Sequence, residues 1–127
     1  MAKILVVDDE AAIRRLLSTI LRREGYEILE AANGRLAMDL IHANDLDLVI
    51  TDIMMPEQDG IETVLRIKEF NANIKVIVIS GGGHQRAMDF LPAAERLGAD
   101  LTLKKPFKPL DVLEAVGNLL QTANVSA

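Results

Sequence analysis

The chain has 127 residues, of which 50% are hydrophobic, with three Phe, one Tyr and no Trp; that supports one domain, 1–127, around an aliphatic core. A formal net charge of −5 argues against direct nucleic-acid binding, which needs a basic surface, and the absence of cysteine excludes a disulfide framework and a thiolate metal site. No apolar run approaches the roughly 20 residues of a membrane span, and Met1-Ala2-Lys3 enters a strand-like run without a signal-peptide pattern, so a cytoplasmic protein with no membrane insertion is expected.

Ile4-Leu5-Val6-Val7 reads as a buried strand ending in Asp8-Asp9. From Ala11 to Glu24, apolar residues recur at Ile13, Leu16, Leu17, Ile20 and Leu21, the stripe of a helix packed on one face, and Gly25 is its stop. Glu27 to Ala31 is a more polar strand. Asn33 caps a helix reaching about Ala43, with Leu36, Leu40 and Ile41 expected inward. The run Leu46 to Asp52 is a third strand with a carboxylate at its tip. A helix from about Gly60 to Phe70 carries Ile61, Val64, Leu65 and Ile67. Lys75 to Ser80 is a fourth strand, broken by Gly81-Gly82-Gly83. Met88, Leu91, Ala94 and Leu97 keep a helical period, with Pro92 placed in the first turn of a helix beginning near Asp89. Gly98 ends that helix. Leu101-Thr102-Leu103 is a short fifth strand, followed by Lys104-Lys105-Pro106-Phe107. A last helix starts near Pro109 and runs to about Gln121, with Leu110, Leu113, Val116 and Leu120 inward. The tail from Thr122 is expected to fray, leaving an ordered core of about 3–121.

Strand and helix alternate five times, which predicts an α/β, doubly wound, five-stranded parallel sheet covered on both faces. The most apolar strands, one, three and four, belong in the centre. The order 2-1-3-4-5 satisfies this and is flavodoxin-like. Its switch point falls between strands one and three, where ligands bind at the carboxyl ends of the strands. Asp8, Asp9 and Asp52 converge there. An isolated aspartate after a strand most often caps a turn, but three together cannot all stay ionised cheaply. A bound Mg²⁺ resolves the conflict, since it takes oxygen ligands and often one or two carboxylates. Ser80 and Lys105 end two further strands and add a hydroxyl and an ammonium suited to an anion. Together the set is equipped for phosphoryl transfer to Asp52, by positioning and charge neutralisation.

With these residues in place, the chain resembles a receiver domain of two-component response regulators. The resemblance rests on Val6-Val7-Asp8-Asp9, Asp52-Ile53-Met54-Met55-Pro56 with Asp59-Gly60, Ser80, Gly98-Ala99-Asp100, and Lys105-Pro106-Phe107. It covers essentially the whole chain. It implies a signalling domain rather than an enzyme, catalysing only its own phosphorylation and dephosphorylation. Asp52 would take a phosphoryl group from a phosphohistidine on a sensor histidine kinase or a histidine phosphotransfer protein. Asp9 and Asp52 would ligate Mg²⁺ directly with the main-chain carbonyl of Met54, and Asp8 would act through water. Lys105 would pair with the acceptor or its phosphoryl group. Ser80 would hydrogen-bond the phosphoryl oxygen and draw its loop inward, shifting the face formed by the fourth helix, fifth strand and last helix toward a downstream protein target. Slow hydrolysis would reset the domain.

Two features depart from that pattern. Many receivers carry Tyr or Phe where this chain has Thr102, so the aromatic switch is in doubt. The glycine run and Pro92 instead point to rearrangement of the loop and fourth helix. Arg14, Arg15, Arg22 and Arg23 read as a solvated face, and the resemblance makes Arg14 and Arg15 candidates for kinase docking. His84 is expected to be exposed, His42 has no evident partner, and Met54-Met55 reads as packing. A stand-alone receiver is the leading expectation, supported by Met1 and the polar tail. A receiver belonging to a larger regulator or hybrid kinase is the alternative. A Mg²⁺-dependent aspartyl phosphatase would want an acid two residues after the nucleophile, where this chain has Met54. A flavin-binding domain is disfavoured by the sparse aromatics and the acidic site.

Overall fold

The strand-like runs, apolar in the centre and more polar at the edges, become strands: β1 (Lys3–Val7), β2 (Glu27–Ala31), β3 (Leu48–Asp52), β4 (Lys75–Ser80) and β5 (Leu101–Lys104). The periodic stretches become helices: α1 (Ala11–Arg23), α2 (Gly34–Ala43), α3 (Gly60–Phe70) and α4 (Pro109–Val125). The computed structural model describes residues 2–52, 60–80, 96 and 98–125. The glycine run at 81–83, His84, Pro92 and the helix expected before Gly98 lie outside the described residues.

The five strands are parallel and ordered β2-β1-β3-β4-β5, as the apolar content of each run implies. Side chains alternate along a strand, and this divides the core in two. Leu5, Val7, Val49, Val76 and Val78 pack with Ala37, Met38 and Ile41 of α2 and Val64 and Ile67 of α3. Ile4, Val6, Leu48, Ile50, Ile77 and Ile79 pack on the other face with Leu17 and Leu21 of α1 and Val112, Ala115 and Val116 of α4. Leu5, Leu17, Ile41, Ile50 and Ile77 are among the side chains with no exposed surface to speak of. Each such side chain stabilises the fold by about 2 kcal/mol relative to exposure.

The helix ends follow from local chemistry. The side chain of Asn33 accepts the Leu36 amide at 2.9 Å, capping α2. At the end of α1, Gly25 has φ +93°. Its amide reaches the Arg22 carbonyl at 3.0 Å while the Tyr26 amide reaches that of Leu21 at 3.4 Å, the paired bonds of a glycine-terminated helix.

Several leucines depart from expectation. Leu16, Leu36 and Leu65 are exposed, and Leu110 is 61% exposed. The sheet covers a narrow arc of each helix, and a residue 100° off that arc stays in water. Buried Ser18, Thr63, Met38 and Val112 fall on the covered arcs. The last helix also continues to Val125, past the expected end near Gln121, because no Gly or Pro interrupts 118–125. His42 has a partner after all: its ring meets that of Phe70 edge-on at 4.7 Å. No helix among the described residues is long and apolar enough to cross a membrane.

Candidate functional site

Strand register brings the acidic residues together. Val7 of β1 is level with Thr51 of β3, so Asp8 and Asp52 follow side by side at the carboxyl edge. Alternation puts both on the α1 and α4 face, continuing Ile4-Val6 and Leu48-Ile50. Asp8 is 1% exposed and Asp52 is 5% exposed, whereas Asp9 lies in the open. One carboxylate oxygen from each of the three lies within 4.8 Å of the others.

Lys105 enters this cluster from two strands away. Its amide donates to the Ser80 carbonyl at 2.8 Å, extending the β4–β5 ladder by one bond, and the Lys105–Pro106 peptide is cis. Its Nζ then lies 3.2 Å from Asp52 Oδ2 and 3.4 Å from Asp8 Oδ2. Burial alone would lower the lysine's pKa, but the Asp52 and Asp8 carboxylates outweigh it and hold the ammonium above its ordinary value.

Asp8 responds in the opposite sense. Burial pushes its carboxyl up from 3.8 to about 6; the Glu10 amide, which donates to Asp8 Oδ1 at 2.9 Å, opposes this, the Asp52 charge adds to it, and Lys105 offsets part. One ammonium therefore does not neutralise the pocket. The donor set also fits a hard divalent cation. Carboxylates are among the ligands Mg²⁺ selects, and the three oxygens lie near enough to one another to face one ion. Asp8, Asp9 and Asp52 are the described residues that could hold it. The Met54 carbonyl, expected as a further ligand, lies outside the described residues, as does the turn through Asp59.

Ser80 is 1% exposed at the end of β4, and its Oγ finds no hydrogen-bond partner among the described residues. A buried hydroxyl in that state costs free energy, so the site holds a donor in reserve. Thr102 is level with Val78 on β5 and half-buried. It therefore lies on the α2 and α3 face of the sheet, opposite Asp8 and Asp52. The groove between α2 and α3, lined by Met38, His42, Leu65, Arg66 and Phe70, shares no residue with this cluster.

The structure corrects the expectation that Arg14 belongs to a solvated face. Its side chain is 20% exposed, its Nη1 donates to the Asp8 carbonyl at 2.7 Å, and its Nε lies 3.6 Å from Glu30. Arg22 also approaches Glu30, at 3.9 Å. No pattern in the sequence signals the Asp8 contact, because it depends on how α1 sits against the carboxyl end of β1.

The fold and the site together define a response regulator receiver. A family model described as the response regulator receiver domain matches residues 4–117, and the chain belongs to that family. It is 38% identical over 118 residues to sporulation initiation phosphotransferase F of Bacillus subtilis, covering 93% of each chain. It is 36% identical over 119 residues to the transcriptional regulatory protein SrrA of Staphylococcus aureus, covering 94% of this chain but about half, 48%, of that protein. Among solved structures, a CheY-like receiver domain protein of Methanospirillum hungatei superposes with a TM-score of 0.91 at 28% identity, covering 100% of this chain and 99% of that one. The response regulator TrrA of Thermotoga maritima, solved in complex with Mg²⁺-BeF, superposes with a TM-score of 0.82 at 36% identity, covering 94% of this chain and 99% of that one.

Proposed function

We propose that this receiver accepts a phosphoryl group on Asp52 from a phosphohistidine of a sensor histidine kinase or histidine phosphotransfer protein, and passes the signal to a downstream protein. The observation that carries this is the convergence of Asp8, Asp9 and Asp52 with the Lys105 ammonium at one sheet edge. The relationship to sporulation initiation phosphotransferase F and the Mg²⁺-BeF complex of TrrA support it.

In the proposed step, an Asp52 carboxylate oxygen bonds to phosphorus as the P–N bond to the donor imidazole breaks. The electron pair of that bond stays on the imidazole nitrogen. Asp9 and Asp52 would hold a Mg²⁺ ion, with the Met54 carbonyl and with Asp8 through water, and the ion would supply positive charge to the phosphoryl oxygens. Lys105 is placed to move from the free carboxylate to the phosphoryl group formed there. The uncommitted hydroxyl of buried Ser80 would donate to a phosphoryl oxygen. Thr102 lacks the ring of an aromatic switch, so signalling would start from Ser80. Hydrolysis of the acyl phosphate returns the resting state, and the chain turns over no separate substrate.

The test is incubation with Mg²⁺ and acetyl phosphate, read by intact mass, for native protein and Asp52→Asn. The native protein is expected to gain one phosphoryl group and Asp52→Asn none. An equal adduct on both, or none on the native protein, rejects the assignment.

A further inference from the structure

We propose that Arg14 is a positioning residue of the acidic pocket, holding the Asp8–Asp9 peptide in the orientation that a divalent cation requires; this rests on the phosphoacceptor reading. Each polar atom of Asp8 is held. Its amide donates to the Ala31 carbonyl at 3.2 Å, Oδ1 accepts from the Glu10 amide, and Oδ2 faces Lys105 at 3.4 Å. The remaining atom, the carbonyl oxygen, takes the Arg14 guanidinium at 2.7 Å, a short bond of the charge-assisted kind. Asp9, by contrast, is exposed, and among the described residues no hydrogen bond or ion pair holds its carboxylate. Its position depends on its backbone. The Asp8 carbonyl and the Asp9 amide share one planar peptide, so fixing the first orients the second.

The guanidinium suits this task because it is planar and has several donors. It spans from Asp8 on the β1 edge to Glu30 on β2, and that second contact keeps it from turning outward. An arginine engaged in this way, on a mostly covered side chain, is committed to contacts within the fold.

The sign of its effect separates positioning from simple electrostatics. Arg14 is a cation near a cation site. By Coulomb's law alone, removing it would tighten Mg²⁺ binding. If it acts by orienting Asp9, removing it weakens binding, as outer residues of metal sites generally do.

The experiment is calorimetric titration of the full chain with Mg²⁺, together with acetyl phosphate labelling read by intact mass. The variants are Arg14→Ala, Arg14→Lys, Arg22→Ala and Glu30→Gln. Arg14→Ala is expected to bind Mg²⁺ about 10-fold more weakly, with labelling reduced at limiting Mg²⁺ and restored at saturation. Arg14→Lys, a single-point donor, falls between and carries the test if the alanine variant does not fold. Arg22→Ala, which leaves both Arg14 contacts in place, stays close to native, and Glu30→Gln, which removes the charge that keeps the guanidinium turned inward, falls between native and Arg14→Ala. Equal or tighter Mg²⁺ binding by Arg14→Ala overturns the inference. So does normal labelling by acetyl phosphate at limiting Mg²⁺ combined with slow labelling from a phosphohistidine donor, which would make Arg14 a docking residue. Native protein that binds Mg²⁺ but takes no phosphoryl group rejects the phosphoacceptor reading, while the comparison of Mg²⁺ affinities still decides the role of Arg14.

Discussion

Lys105 Nζ lies 3.2 Å from Asp52 Oδ2, although the two residues are 53 positions apart and β4 lies between their strands. The lysine passes over the end of β4, where the small side chain of Ser80 sits buried. Among the described residues, two buried carboxylates here face the Lys105 ammonium, and most of the pocket's expected behaviour follows from that arrangement.

Replacing Lys105 by Met should separate two quantities that usually move together. Without the ammonium, the carboxylates lose their internal counter-charge, and metal-free stability at pH 7 should fall by about 3 kcal/mol, as for a broken buried pair. Mg²⁺ should bind more tightly, because a competing cation has gone. Acetyl phosphate labelling should nonetheless fall by at least about 10-fold, since the phosphoryl group loses its own partner. Urea unfolding, calorimetry and intact mass report the three effects, and weaker Mg²⁺ binding by Lys105→Met would contradict the charge argument.

Asp8 predicts an unusual pH response. Its folded pKa, about 6, lies above the ordinary 3.8, so between these values the native state binds more protons than the unfolded state. Its contribution to stability is therefore fully present below about pH 3.8 and is lost as pH rises through 6. The gap corresponds to about 3 kcal/mol. In chelator, stability should rise when pH is lowered from 7.5 to about 5.5, whereas Asp8→Asn should be more stable than native at pH 7.5 and lack this rise. Thermal unfolding across that range checks it.

Ser80→Ala should uncouple stability from phosphorylation. The native Oγ is buried without a partner among the described residues, so its removal should leave metal-free stability unchanged or raise it by about 1 kcal/mol. The same change removes a donor to the phosphoryl group and should lower the extent of acetyl phosphate labelling. A large loss of stability would show that the hydroxyl is already engaged in the free protein.

Far from the acidic edge, Lys68 and Asp100 tie the opposite end of the sheet. Lys68 Nζ reaches the Ile74 carbonyl at 2.6 Å and Asp100 Oδ2 at 2.9 Å, and that same oxygen accepts the Val76 amide at 2.8 Å. Asp100→Ala should cost about 2 kcal/mol by leaving the Val76 amide without its acceptor and the Lys68 ammonium without its counter-charge. Gly98→Ala should destabilise too, because φ is +120° and an added Cβ would lie 2.8 Å from Lys68 Cγ. Neither change should alter Mg²⁺ affinity. Unfolding midpoints and calorimetry on both variants test this.

The sequence by itself determined the strand order and the list of charged strand-end residues. Both depend on short-range regularities: continuous apolar runs mark two-sided strands, a 3.6-residue period marks one-sided helices, and a carboxylate or lysine just past a run must fall at the sheet edge. Only the tertiary structure decided which of two neighbouring leucines enters the core, as with buried Leu17 and exposed Leu16, because that depends on the arc of helix the sheet covers. It also decided the inward turn of Arg14, the Lys68–Asp100 tie and the contact of His42 with Phe70. Each of these joins residues from different elements. Their distances are set by packing across the whole fold, and no local period in the chain encodes them.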